Sequence, residues 1–231
     1  AMQQWGMRSD ALQLDPQRPT GRVSVSFNAG EPAYDIVPQV AYDAIVAEAV
    51  KCDCRLLYHG SLALREATSR STAELIKAGK PDTVFVDVNL RSPWWQKEQL
   101  LEMVADADWV KLNGDELALL APSADGAAFV AEHELQGLVL THGADGAEIM
   151  TADGERILIR PEKAVPVIDT VGAGDAFASI MILGLDLDWP IEQTAQRAQA
   201  FASALVGKRG ATVSDPAFYR PFIDAWELGN L

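Results

Sequence analysis

Four short apolar runs constrain the kind of sheet this chain can build. They are "RLLYHG" (55–60), "TVFVDVN" (83–89), "WVKLN" (109–113) and "GLVLTHG" (137–143), and each follows a segment long enough for a helix. A sheet with one wet face alternates apolar and polar residues. Nearly continuous apolar runs separated by helical crossovers instead mark strands buried on both faces of a parallel sheet. The expected fold class is therefore α/β, a doubly wound, mostly parallel, Rossmann-like sheet in three layers. A different pattern precedes it. "GRVSVSFN" (21–28) alternates Val23, Val25 and Phe27 with Arg22, Ser24 and Ser26, and "PAYDIV" (32–37) can pair with it across "AGE" (29–31) as a small separate sheet. "GAEIMTADGERILI" (146–159) reads as a hairpin about Asp153-Gly154. Helical periods run over 173–185, 191–206 and 216–228, with Asp215-Pro216 opening the last.

Composition narrows the partners. At 231 residues and 48% hydrophobic, the chain can bury a large core. Its 19 basic and 33 acidic residues give a net charge of −14, and no Lys/Arg block is present, which argues against nucleic acid or an anionic membrane as partner. The longest apolar run, 176–185, contains Ser179 and Gly184 and stops at Asp186, too short to span a bilayer. The first twenty residues contain no apolar leader, so a cytoplasmic location is expected. Cys52 and Cys54 form a lone C-x-C, and His59, His133 and His142 are scattered, a pattern of reduced thiols rather than a zinc site.

In such a fold, ligands gather at the carboxyl ends of the strands. Those ends are polar here: Asp87, Asn89 and Arg91; Lys111, Asn113 and Glu116; Thr141, Gly143 and Gly146; then Asp169, Thr170 and Asp175. Taken singly, Asn113 can cap a helix through Leu120, the glycines can serve turns and Asp87 can be a solvated strand end. Together they indicate a site. Its centre is "DTVGAGDAF" (169–177), where Gly172-Ala173-Gly174 enters an apolar helix whose first amides are free for an anion. No G-x-x-x-x-G-K-[ST] is present, Phe177 stands where a dinucleotide fingerprint needs its third glycine, and Asp175 would repel a resting diphosphate. A phosphoryl group in transit suits the loop better. The amides can hold its oxygens while Asp175 takes the proton of the attacking hydroxyl.

"DTVGAGDAF" resembles the second signature of the ribokinase-like (PfkB-type) carbohydrate kinases, D-T-x-G-A-G-D-x-F, at every fixed position. "NGDE" (113–116) is similar to their N-x-x-E motif and "THGADG" (141–146) to their T-x-G-x-x-G loop. "PTGRVSV" (19–25), "YHGSLALR" (58–65) and "DVNLR" (87–91) resemble the bacterial fructokinase branch. The resemblance implies that Asp175 is the catalytic base and that Gly172, Ala173 and Gly174 form the anion hole. It implies that Asn113 and Glu116 position a magnesium–phosphate assembly partly through water, and that Thr141, Gly143 and Gly146 face ATP. Asp169 would lie near a monovalent-cation site, K+ in members that use one, and Arg91 would be a cation near the transferred phosphate or the sugar.

The implied activity is ATP-dependent phosphorylation of fructose or a related ketose. The alternatives are a kinase for another small polyol (a 2-keto-3-deoxy sugar acid, ribose or a nucleoside) and a non-catalytic nucleotide-binding fragment. By the same likeness, 1–231 is one ribokinase-like domain with a lid-like β segment at 20–37 and an α/β core at 38–231, and the lid strands are the expected surface of a homodimer. Family chains open with a core strand, a substrate-contacting Asp and a Gly-Gly motif. None of these precedes "AMQQWGM", so an N-terminally incomplete member lacking one flank of the sheet and part of the sugar pocket is expected. Tyr34, Tyr42 and Asp43 are the remaining candidates near that pocket.

Overall fold

The computed structural model describes residues 2–7, 9, 11–28, 31–47, 54–122, 125–162 and 166–230. Strand β1 (Val23–Asn28) pairs antiparallel with β2 (Glu31–Ile36), with Val23 opposite Ile36 and Asn28 opposite Glu31. The Ala29-Gly30 connection lies outside the described residues, as does Cys52. The main sheet has six strands lying side by side in chain order: β3 (Leu56–Gly60), β4 (Thr83–Asp87), β5 (Trp109–Asn113), β6 (Gly137–Thr141), β7 (Ala147–Thr151) and β8 (Arg156–Ile159). The first four are parallel, and β7 and β8 return antiparallel through the expected hairpin. This matches the reading of the apolar runs.

Alternation along each strand assigns the two faces. Val84, Val86, Val110, Leu112, Leu138 and Leu140 bury against α2 (Lys97–Ala105), α3 (Gly114–Leu120) and α4 (Gly126–Glu132), with Ala73 of α1 (Ala67–Lys77) in the same cluster. Phe85, Trp109, Val139 and Ile149 face α5 (Ala173–Asp186) and α6 (Ile191–Val206), where Phe177, Met181 and Ala198 complete the second core. The residues two beyond Phe85 and Trp109 share this second face. They are Asp87 and Lys111, so the alternation carries an acid and a base toward the start of α5.

The last expected helix is broken. A 3-10 turn at Pro216–Phe218 precedes α7 (Arg220–Ala225), and a further turn follows at Leu228–Asn230. Asp215 caps the first turn through a hydrogen bond from the Ala217 amide at 2.9 Å. Pro221 has no N–H to give a helix continuing from 216. In the first turn of α7 none is needed, so a new helix starts there. Among the described residues, no helix is long and apolar enough to cross a membrane.

Candidate active site

Gly172 caps α5 in the left-handed region, at φ +81° and ψ 0°. A Cβ there would also stand 2.6 Å from Cα of Ala211, so both conformation and space demand glycine. Helix α5 then starts at Ala173, placing Asp175 in its first turn with its side chain exposed. First-turn amides have no intrahelical acceptor and carry the positive end of the helix dipole, so this turn favours anionic oxygens.

A buried ammonium lies beneath the turn. A Cβ on Gly174 would stand 3.4 Å from Nζ of Lys111. That nitrogen donates to both Asp87 oxygens at 2.9 Å, and both residues are buried. The sheet register brings them together, with Asp87 opposite Lys111 and Gly60 opposite Asp87. The Tyr58 hydroxyl reaches Asp87 Oδ2 at 3.5 Å. Burial is the largest influence on Asp87 and raises its pKa. Lys111 works against this without cancelling it, and the negative charge of Asp175 adds to the rise. Tyr58 is also pushed up, by burial first and then by Asp87 and Asp175. Asp87 is thus no solvated strand end.

Asn113 and Glu116 form a reciprocal cap at the start of α3. Asn113 Oδ1 accepts from the Glu116 amide and Glu116 Oε2 from the Asn113 amide, both at 2.9 Å. Glu116 is buried, and its other oxygen accepts from the Leu90 amide at 2.7 Å, tying the loop after β4 to the end of β5. Asp169 is a staple as well. Its oxygens accept from the amides of Val171 at 3.0 Å and Gly210 at 2.9 Å, and these two bonds, in that order, hold its carboxyl below the usual range.

One cavity is lined by the glycine turn, and another by Asp87, the partner of the lysine beneath that turn. The larger, about 1100 Å³, is lined by Thr141, Gly143, Gly146, Thr170, Ala173 and Gly174 among others. Gly143 and Gly146 have φ of +58° and +100°, and a Cβ on Gly146 would collide with the carbonyl oxygen of Ile159. The smaller, about 340 Å³, is lined by Tyr42, Tyr58, Gly60, Ser61, Asp87 and Asn89, with Leu62 and Ala63.

Residues 2–217 match the pfkB family carbohydrate kinases. This chain belongs to that family. As a pfkB member it is 29% identical over 237 residues to the fructokinase of Vibrio alginolyticus, covering 93% of this chain and 76% of that one. It is 33% identical over 129 residues to the aminoimidazole riboside kinase of Salmonella typhimurium, covering 52% of this chain but only 39% of the relative, well under two thirds of its length. Among solved structures, the fructokinase of Vibrio cholerae with fructose, ADP and calcium ion superposes with a TM-score of 0.77 at 24% identity, over 95% of this chain and 78% of that one. That likeness concerns the fold: an α/β kinase core.

Within this pfkB chain, Gly172, Ala173, Gly174 and Asp175 share one turn, and Thr141, Gly143 and Gly146 share a cavity with it. Arg91 stands apart. It is exposed, donates to its neighbour's carbonyl on Leu90 at 3.1 Å and lines neither cavity. Asp43 is turned away into a buried ion pair with Arg65, whereas Tyr42 lines the smaller cavity; Tyr34 lies on β2 opposite Val25. The residues that sequence reasoning left out are Tyr58 and the role of Lys111. A signal for Lys111 was present: a lysine in phase with Trp109 inside a run that is otherwise apolar to its last residue.

Proposed function

We propose that this chain transfers the γ-phosphoryl group of ATP to a hydroxyl of fructose or a related ketose, with Asp175 as general base. One observation carries the reading: Gly174 lines the larger cavity and covers Lys111, whose partner Asp87 lines the smaller. A nucleotide in the first and an acceptor in the second would meet at the turn bearing Asp175. Asp175 takes the hydroxyl proton as the acceptor oxygen forms its bond to phosphorus and ADP leaves with the electrons of the broken bond. The amides of the turn hold the equatorial oxygens through that step.

Among the described residues, no group of three or more His, Cys, Asp or Glu could cage a metal ion. The hard oxygens of Glu116 and Asn113 suit magnesium arriving with ATP and held through water, because their own lone pairs are partly spent on amides. Magnesium supplies charge neutralisation on the phosphates when bound. The two Asp169 oxygens are likewise engaged, so potassium enters only as a requirement to be measured.

The test is Asp175→Asn in the 231-residue chain, with kcat from ADP release and ATP affinity from calorimetry. The expected result is a fall in kcat of about 10²- to 10⁴-fold with ATP affinity unchanged. Near-normal turnover by the variant would overturn the assignment. An unmutated chain that binds ATP but turns over no acceptor would favour nucleotide binding without transfer.

A further inference from the structure

The relatives differ in what they phosphorylate, and the smaller cavity has a charge pattern that bears on the choice. No lysine or arginine is among its lining residues. Lys111 spends its ammonium on both oxygens of Asp87 and is buried behind that carboxylate. Arg65, stacked against Tyr42, is bound to both oxygens of Asp43. Arg91, two residues past Asn89, donates to the Leu90 carbonyl and does not line the cavity. The walls offer the Asp87 carboxylate, the Asn89 amide, the Ser61 and Tyr58 hydroxyls and two tyrosine rings. At about 340 Å³ the space falls within the ~300–1,000 Å³ range of small-molecule sites.

We infer that this cavity takes an uncharged, polyhydroxylated acceptor of about hexose size and rejects anionic ones, with Asp87 as the residue that sets the preference. The inference rests on the reading of Asp175 as base. Hydroxyl groups of a neutral polyol donate to Asp87 and Asn89 while its C–H faces lie against Tyr42 and Tyr58. A carboxylate or phosphate in the same place meets Asp87, and Asp175 beyond it, with no cation in the cavity lining to offset either charge. The negative field is present before any ligand arrives: the negative charge of Asp175 already adds to the upward shifts of Asp87 and Tyr58 that their burial begins.

The experiment measures binding and does not depend on turnover. The 231-residue chain with saturating ADP is titrated calorimetrically with D-fructose, with D-gluconate as a six-carbon carboxylate and with fructose 6-phosphate as a phosphorylated ketose. Fructose should bind saturably and both anions at least ~10-fold more weakly, as an uncompensated like charge dictates. Asp87→Asn removes the carboxylate and frees the Lys111 ammonium, so the preference should invert, with gluconate gaining and fructose losing. Asn89→Lys, at an exposed wall position, adds a free cation without disturbing the buried pair and should admit gluconate even where Asp87→Asn fails to fold. Gluconate or fructose 6-phosphate bound as tightly as fructose would overturn the inference, as would failure to bind any of the three or variants that leave the ratio unchanged. Asp175-dependent transfer to gluconate in preference to fructose would sink this inference and leave the kinase reading standing; Asp175-independent transfer would sink the assignment of Asp175 as base.

Discussion

Among the described residues two carboxylate–cation pairs are buried, and they are built to different standards. Near the end of β2, the Arg65 guanidinium meets Asp43 through two parallel hydrogen bonds of 2.7 Å, donates to the Val37 carbonyl at 2.9 Å and lies 4.4 Å from the Trp94 ring centroid. The Val40 amide adds a third hydrogen bond to the acid at 3.1 Å. Burial pushes Asp43 up, but the Arg65 hydrogen bonds, the Val40 amide and the Arg65 charge outweigh it, and the acid ends below its ordinary range. At the start of α5, Asp87 has one ammonium and a distant phenol, and burial outweighs them. A buried pair whose carboxylate is held by two guanidinium bonds and an amide serves structure. One left short of compensation beside an exposed acid on an anion-binding turn marks the place where charge is to be handled.

The largest way to break this contrast is to remove each cation in turn. Arg65→Met strands a buried carboxylate without the partner that holds its pKa down and should cost about 3–5 kcal/mol at pH 7, the range for breaking a buried pair. Lys111→Met should cost less, about 1–3 kcal/mol, because the ammonium it removes never fully offsets the burial of Asp87. The sign follows from linkage. A carboxyl whose folded pKa lies above its unfolded value contributes fully at low pH and loses that contribution as pH rises through the folded value. The deficit of Lys111→Met should therefore shrink between pH 7 and pH 5; Arg65→Met takes away the hydrogen bonds and charge that hold Asp43 down and leaves its burial, so its larger deficit should ease over the same interval as well. Urea denaturation at the two pH values checks this. Equal, pH-independent losses would mean that the pairs are equivalent.

A buried histidine sharpens the comparison because its ring has no hydrogen-bond partner. Both ring nitrogens of His59 on β3 lack a hydrogen bond, and burial first, then the nearby Lys77 charge, pull its pKa down to about 4. The unfolded chain gains this proton near pH 6.5 and the folded one only near pH 4. Stability should thus fall as pH drops through that window, by up to about 1.4 kcal/mol per pH unit from this group alone. His59→Leu should flatten that part of the profile. A variant that loses stability as steeply as the parent between pH 6.5 and 4 would assign the acid sensitivity to other groups.

How much of this was legible in the sequence depended on the range of the interaction. The parallel core was legible because strands buried on both faces must be apolar throughout, and the Asp153-Gly154 hairpin and the glycine turn because their chemistry is confined to a few neighbouring residues. The Asn113–Glu116 cap is equally local. The other oxygen of Glu116 reaches Leu90, on a different strand's loop, which no local pattern shows. Lys111 could be seen as a misfit in its run, but its partner depends on the register of β4 against β5, which is set by the packing of the crossovers. Arg65 finds Asp43 across two 3-10 turns, Ala41–Ala44 and Leu62–Leu64, that have no periodic signature. Hydrophobic period makes the last helix too long because it is blind to the missing amide of Pro221.

The smallest effect belongs to Tyr58, and it tests whether the pair at α5 is tuned or merely buried. Its hydroxyl lies 3.5 Å from Asp87 Oδ2, at the outer limit of a hydrogen bond, while its ring packs 6.0 Å from Phe85 between centroids. Tyr58→Phe keeps the ring and removes only the donor, so unfolding free energy should change by less than about 1 kcal/mol. The Asp87 carboxyl should nevertheless respond. The phenol's hydrogen bond is one of the influences holding its pKa down against burial, and without it the Asp87 titration followed by carbon NMR should move further up. A loss well above that stability limit would make the phenol a structural anchor. An Asp87 titration that does not move would leave Lys111 as its only effective partner and bring the pair closer to the standard of Asp43 and Arg65.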